Sequence, residues 1–300
     1  MASRLRTCRT PDTRIGSATL AEAVRERSAR EIRFVTYLSP SIPRVLFEAL
    51  ADHLRRSLGH DQVSLRVETR VSGPRKGHEC SSFGDEVDVA FMCAPSFVWL
   101  HGLRPPAAEL LGVAPVFDDE RNSGRPVYFC GVVVRDDAPV QTFSDLQGSS
   151  WAYNDVCSLS GYYGLLNKLA ESGTDESFFG NVSCSGSHLN SIEAVHRGEV
   201  DSAAIDSNVL RIRLREAPAL RQKLRLIESW GPYPIQSVVA SSRLHPELKD
   251  QLRAAFFTTN EDDGTRRVLR RFCPSRFVAV SREDYSLDAY KDLAALLAAR

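Results

Sequence analysis

The chain has 300 residues, and its 38 Lys plus Arg are balanced by 38 Asp plus Glu. No bulk field exists to recruit nucleic acid or an anionic membrane surface, so any anion must be caught locally. At 43% apolar content the chain can bury a sizeable core, its length suits about two domains, and no apolar run approaches the ~18 residues of a membrane span.

Residues 1–30 carry Arg4, Arg6, Arg9 and Arg14 and no strand-like run, which reads as a flexible leader. They lack the apolar core of a secretory signal, so the expected location is cytoplasmic, or periplasmic or organellar if the leader is a transit peptide or a misplaced start. Order is expected to begin with a β-rich run, Ile32–Tyr37, ended by Ser39-Pro40 and Pro43. Helical periodicity follows in Val45, Leu46, Ala49, Leu50, Leu54 and Leu58, closed by Gly59. Val63–Val67 reads as the second strand. Val87–Met92 is a continuous apolar run of the kind found in buried parallel strands. Pro95 starts a helical stretch, and Leu110–Phe117 and Val127–Val134 supply two more strands.

The charged turn Arg135-Asp136-Asp137 reads as the crossing into a second unit. There the pattern predicts strands at 149–154, 180–184, 200–205 and 223–228, alternating with helices at 160–172, 188–197 and 207–216. That alternation argues for βαβ units and a parallel sheet. Ile235–Ala240 returns as a strand, followed by helices at 245–257 and 262–271, an extended run at 276–280 and a terminal helix at about 286–299.

Three strand-to-helix junctions of the second unit carry candidate chemistry. Trp151–Tyr153 breaks at Asn154-Asp155, and Ser158, Leu159, Ser160 and Gly161 then open a helix. Helix N-termini present unpartnered amides and about half a positive charge, so serine hydroxyls there suit a phosphate-like oxyanion. Ser187 and His188 open the next helix, and Asp206 opens the third. In an open α/β sheet, ligands collect beyond the carboxyl ends of strands, so these loops should share one crevice. Each residue also has a plain reading: Ser158, Ser160, Ser187 and Asp206 as helix caps, His188 as a surface residue. Tyr37, Ser96 and Phe97 occupy matching strand ends of the first unit, where an aromatic can wall a cleft or simply pack in the core.

Seven cysteines, Cys8, Cys80, Cys93, Cys130, Cys157, Cys184 and Cys273, show no Cys-x-x-Cys pair and no zinc spacing, so reduced thiols, no metal and no cofactor are expected. No nucleophile elbow, Walker loop, dinucleotide fingerprint or zinc-protease motif occurs, and no catalytic residue is assigned. Cys157 with His188 is the one pairing open to an enzyme reading.

Taken together, the segments resemble the phosphonate-binding (PhnD-like) family of ABC-transporter solute-binding proteins over about residues 31–280. The resemblance rests on Tyr37 with its prolines, Asp88-Val89-Ala90-Phe91, Gly124-Arg125-Pro126-Val127-Tyr128 and Asp145-Leu146-Gln147-Gly148. It continues through Ser158-Leu159-Ser160-Gly161-Tyr162, Gly186-Ser187-His188, Gly198-Glu199-Val200-Asp201 and Ala204-Ile205-Asp206-Ser207. It implies an α/β, two-lobed periplasmic-binding-protein-like fold of class II type, each lobe a mixed, mostly parallel sheet flanked by helices, joined by a two-strand hinge. The implied lobes are residues 31–134 plus 235–300, and 138–232, with hinge strands at 131–138 and 228–235. It further implies capture, without chemistry, of a phosphonate, phosphate ester or related oxyanion. Ser158, Leu159, Ser160, Ser187 and His188 would hold the head group, Tyr37 would wall it, and Asp206 would contact an amino group. Phe97 stands where the family often has tyrosine, and Cys157 where a small polar residue is usual. The partner would be the small oxyanion, with an ABC permease or protein partner undetermined. An intracellular cofactor-biosynthesis enzyme on the same fold, or a ligand-gated sensor that docks a protein, are the alternatives.

Overall fold

A computed structural model describes residues 31–59, 62–75, 83, 86–272 and 274–286. The expected leader (1–30) and terminal helix (286–299) lie outside the described residues, apart from Ser286. The first stretch supplies β1 (Ile32–Thr36), α1 (Arg44–Leu58), β2 (Val63–Val67), β3 (Val89–Met92), α2 (Ala94–Gly102), β4 (Ala108–Leu110) and β5 (Val113–Phe117). The middle stretch gives β6 (Val127–Arg135), β7 (Ser150–Tyr153), α3 (Gly164–Glu171), β8 (Asn181–Cys184), α4 (His188–Arg197), β9 (Ser202–Asp206), α5 (Ser207–Glu216) and β10 (Leu224–Pro234). The chain then returns through β11 (Ser237–Ser241), α6 (Pro246–Phe257), α7 (Asp263–Arg271) and β12 (Pro274–Ala279).

These strands form two five-stranded mixed sheets, ordered β2-β1-β3-β11-β4 and β10-β6-β9-β7-β8, with β5 and β12 as a separate antiparallel pair. In the first sheet β1 runs parallel to both β2 and β3, and in the second β7 runs parallel to both β8 and β9. Strands 1 and 3 carry the near-continuous apolar runs that burial on both faces demands. One expectation is corrected. Val127–Arg135, expected to close the first unit, pairs antiparallel with β9 and β10 and belongs to the second sheet. The chain therefore crosses between sheets before Val127 and again just after Pro234, and the charged turn at Arg135 lies inside the second unit. The expected hinge strands fall largely within β6 and β10.

Local signals explain the helix limits. Helix α1 starts after Pro43 and ends at Gly59, whose φ of 62° supplies the left-handed cap. Its buried Leu46, Phe47, Leu50 and Leu54 recur at helical spacing. Of these, Phe47 meets β3 at Phe91, whose ring lies 5.6 Å from Phe34, 5.4 Å from Phe47, 5.8 Å from Phe256 and 6.4 Å from Phe277. One phenyl ring thus joins a central strand to β1, α1, α6 and β12. A second aromatic cluster, Phe143, Trp151, Phe179 and Trp230, does the same under the second sheet.

Phe91→Ala is expected to destabilise the protein by about 3–5 kcal/mol in urea unfolding, because four elements lose a shared contact and a cavity is left. A loss below about 1 kcal/mol would show that this ring does not tie those elements together.

Candidate functional site

The three junctions of the second sheet are each built by a cap. After β7 the backbone turns at Asn154-Asp155, and Ser158 caps a single π turn, Leu159–Tyr163, that leads straight into α3. Ser158 Oγ accepts from Gly161 N at 3.1 Å, while the amides of Leu159 and Ser160 stand in the first turn with no intrahelical acceptor. Ser187 Oγ accepts from Asn190 N at 3.1 Å and starts α4. Asp206 Oδ1 accepts from Asn208 N at 2.7 Å and Val209 N at 3.3 Å and starts α5. The capping reading is therefore correct at Ser158, Ser187 and Asp206, and it does not exclude a site. A cap fixes where the hydroxyl or carboxylate points.

All three junctions face one cleft of about 440 Å3, counted with its open mouth. Ser160, Ser187, His188 and Asp206 line one wall; Tyr37, Ser72, Cys93 and Gln236, at strand ends of the first sheet, line the other. Hydrogen bonds cross between the walls. Ser72 gives its amide to Asp155 Oδ1 at 3.1 Å and its hydroxyl to Oδ2 at 2.5 Å. Gln236 Nε2 donates to Asp206 Oδ2 at 2.5 Å, and His188 N donates to Ser41 Oγ at 3.2 Å.

The electrostatics follow from burial. His188 is only 6% exposed, and desolvation pushes its pKa down to about 3, against a weaker upward pull from the Ala204 carbonyl. The imidazole is neutral, with Nε2 3.3 Å from Ser160 Oγ and Nδ1 making no hydrogen bond. Desolvation raises Asp206 to about 6, offset in part by its backbone donors and Gln236. Asp155 is also raised by burial, against the pull of Ser72, Cys157 and Arg75. Among the described residues no Lys or Arg lines the cleft, so an anion there would meet hydroxyls, amides and a neutral ring.

Of the residues singled out in the sequence, Tyr37, Ser160, Ser187, His188 and Asp206 line this cleft. Ser158, Leu159 and Gly161 lie just behind it. A Cβ on Gly161 would run into Asn154 Oδ1 and sit 3.2 Å from His188 Cε1, so this glycine lets the imidazole pack against the turn. Ser96 and Phe97 do not line it: Ser96 lies against Gly73, and Phe97 packs on His101 and Tyr285. His188 is buried rather than a surface residue. Cys157 does not line the cleft and donates its amide to Asp155 at 2.8 Å, while His188 Nε2 faces Ser160, so the Cys157–His188 pairing gains no support. Asn154, Asp155, Ser72 and Gln236 were missed. The Asn-Asp pair signalled a turn, and nothing local marked Ser72 or Gln236.

His188 has its folded pKa lowered from 6.5, so its contribution to stability is present above about 6.5 and is lost as pH falls towards about 3. Asp206, raised from 3.8, contributes fully below about 3.8 and loses that contribution as pH rises through about 6. The two oppose between these limits. In urea unfolding, His188→Asn is expected to lose less stability than the wild type between about pH 7 and 4, and Asp206→Asn to lose more. An unchanged slope in both variants would contradict the buried, neutral imidazole and the raised carboxyl.

Residues 32–285 match the sequence model of a family described as ABC transporter, phosphonate, periplasmic substrate-binding protein. Solved structures share the fold. A binding protein component of an ABC phosphonate transporter from Pseudomonas aeruginosa superposes with a TM-score of 0.72 at 19% identity, covering 90% of this chain and 87% of that one. PhnD1 from Prochlorococcus marinus, in complex with methylphosphonate, gives 0.74 at 16% identity, covering 89% and 98%. A Xanthomonas citri protein bound to ATP gives 0.64 at 18% identity, covering 89% and 97%. The two-lobed periplasmic-binding-protein architecture follows. The expected cytoplasmic location is overturned, because the matched family is periplasmic. From the cleft at the carboxyl ends of both sheets and the match along most of its length, the chain belongs to the phosphonate-type periplasmic substrate-binding proteins of ABC transporters.

Proposed function

We propose that the cleft captures a small phosphonate, phosphate ester or related oxyanion between two lobes, one built on each sheet. The carrying observation is the convergence of three capped strand-to-helix junctions on one cleft that, among the described residues, no Lys or Arg lines. Such a wall offers many fixed dipoles and no mobile counter-ion, which suits a compact anion stripped of water. In the closed arrangement, His188 Nε2 and Ser160 Oγ share a hydrogen bond, and in the Nε2–H tautomer the Ser160 hydroxyl proton is left to point at the ligand. Ser187 Oγ already accepts from Asn190 N, so its proton is likewise available to an oxyanion. The amides of Leu159 and Ser160 add the helix-terminal field. Tyr37 and the Ser39–Ile42 segment cover the opposite side.

The lobes are proposed to meet through the Ser72–Asp155, Gln236–Asp206 and Ser41–His188 hydrogen bonds, so ligand contacts on both walls bias the protein towards closure. Docking of the closed form on a permease is the expected consequence for an ABC-type binding protein. The methylphosphonate bound by the Prochlorococcus structure supports the head-group class.

Thermal shift and calorimetry with methylphosphonate, phosphite and phosphate test this reading. At about 100 times its dissociation constant, a ligand is expected to add about 2.7 kcal/mol of stability. Ser160→Ala is expected to weaken binding by about 10–100-fold, the worth of a hydrogen bond to a charged group, and His188→Ala to weaken it by removing the hydrogen bond that orients the Ser160 hydroxyl. Absence of stabilisation by all three anions would count decisively against the proposal.

A further inference from the structure

The two buried carboxylates of the cleft differ in how fully they are used. A carboxylate offers about four acceptor positions, two on each oxygen. Asp155 has all four filled: Ser72 N and Cys157 N donate to Oδ1, and Ser72 Oγ and Asn154 Nδ2 donate to Oδ2. Asp206 has three filled. Asn208 N and Val209 N saturate Oδ1, whereas Oδ2 receives only Gln236 Nε2. One acceptor position on Asp206 Oδ2 is left, on a side chain 2% exposed that lines the cleft.

Resting on the oxyanion reading above, we propose that this position accepts a hydrogen from the bound anion, so that the complex holds one proton between Asp206 Oδ2 and a ligand oxygen. An oxyanion without such a proton would bring two negative oxygens into contact at low dielectric, with no cation among the described lining residues to offset them. Above about pH 6, where Asp206 is ionised, the site therefore takes an anion bearing a hydroxyl on phosphorus and disfavours a sulfonate of the same size, which has no proton to give. Sites built to pair a ligand hydroxyl discriminate strongly against analogues lacking it.

The proton balance is simple. Below the ligand's second ionisation the proton arrives on the ligand; above it, binding takes one proton from solvent. Near and below about pH 6 Asp206 itself carries it; the groups around Asp206 do not supply it. Burial keeps His188 neutral with a pKa of about 3 and pushes the Cys93 thiol up to about 12. Tyr128 and Cys130 are likewise raised by desolvation, and Asp155 is consumed by its four donors. The cation felt by Asp155 is Arg75, which does not line the cleft.

The test is calorimetry on the full chain with methylphosphonate and methanesulfonate from about pH 6 to 9, in buffers of different ionisation enthalpy. The expected result is that methylphosphonate affinity falls about tenfold per pH unit above its second ionisation, with uptake approaching one proton. Methanesulfonate, which can share a proton only when Asp206 itself carries one, should lose affinity from about pH 6 upward and bind at least about tenfold more weakly at about pH 7.5. Asp206→Asn, which can both donate and accept, should flatten the pH dependence and narrow the sulfonate gap. Methylphosphonate binding that stays level or strengthens as pH rises, without proton uptake, overturns the inference while leaving the oxyanion site intact, and so does equal affinity for the sulfonate at about pH 7.5. Failure of methylphosphonate to bind at any pH removes the oxyanion reading and this inference together.

Discussion

A carboxylate taken out of water must find donors, and the geometry of this protein around its cleft is arranged by that requirement. Asp155 and Asp206 are both buried, and among the described residues neither has a Lys or Arg partner lining the cleft. Their donors come from two sources. Backbone amides of Cys157, Asn208 and Val209 fix each carboxylate to its own loop, and Ser72 and Gln236 reach across from the other sheet. The same atoms therefore cap, orient and fasten. Opening the cleft would deprive both carboxylates of part of their solvation shell and return them to water, which makes closure a balance of similar terms. Such a balance is easily tipped by a ligand.

The neutrality of the grip has a functional meaning. A cleft lined by arginines would hold any anion by charge, with strength that falls with salt and with little regard for shape. Fixed hydroxyls and amides act over one hydrogen-bond length, so they reward a tetrahedral head group of the right size. The packing of His188 against Gly161 is part of this precision. The ring reaches Ser160 because no side chain stands between the imidazole and the turn.

Much of this was readable in the residue order. Helices at His188–Arg197 and Ser207–Glu216 begin and end where their caps and periodicity put them, since Ser187, Asp206 and Gly198 are strong local signals. The convergence of Ser160, Ser187, His188 and Asp206 followed from the rule that parallel strands present their carboxyl ends together. What escaped was non-local. Ser72 lies 83 residues from Asp155, in a stretch whose composition says only loop, and Gln236 lies 30 from Asp206, at the start of an apolar strand-like run that does not single it out. The membership of Val127–Arg135 also escaped, because an apolar run reports burial and not which strand lies beside it. Ser96 and Phe97 occupy the expected strand end but pack away from the cleft, a matter of side-chain direction that strand order cannot supply.

The most direct test of the central claim is a crystal structure of the full chain grown with methylphosphonate. The account places the phosphonate between the two sheets, with oxygens about 3 Å from Ser160 Oγ and Ser187 Oγ and one oxygen facing Asp206 Oδ2. Density for the ligand outside that cleft, or within it but held by an arginine or lysine in place of these hydroxyls, would contradict it.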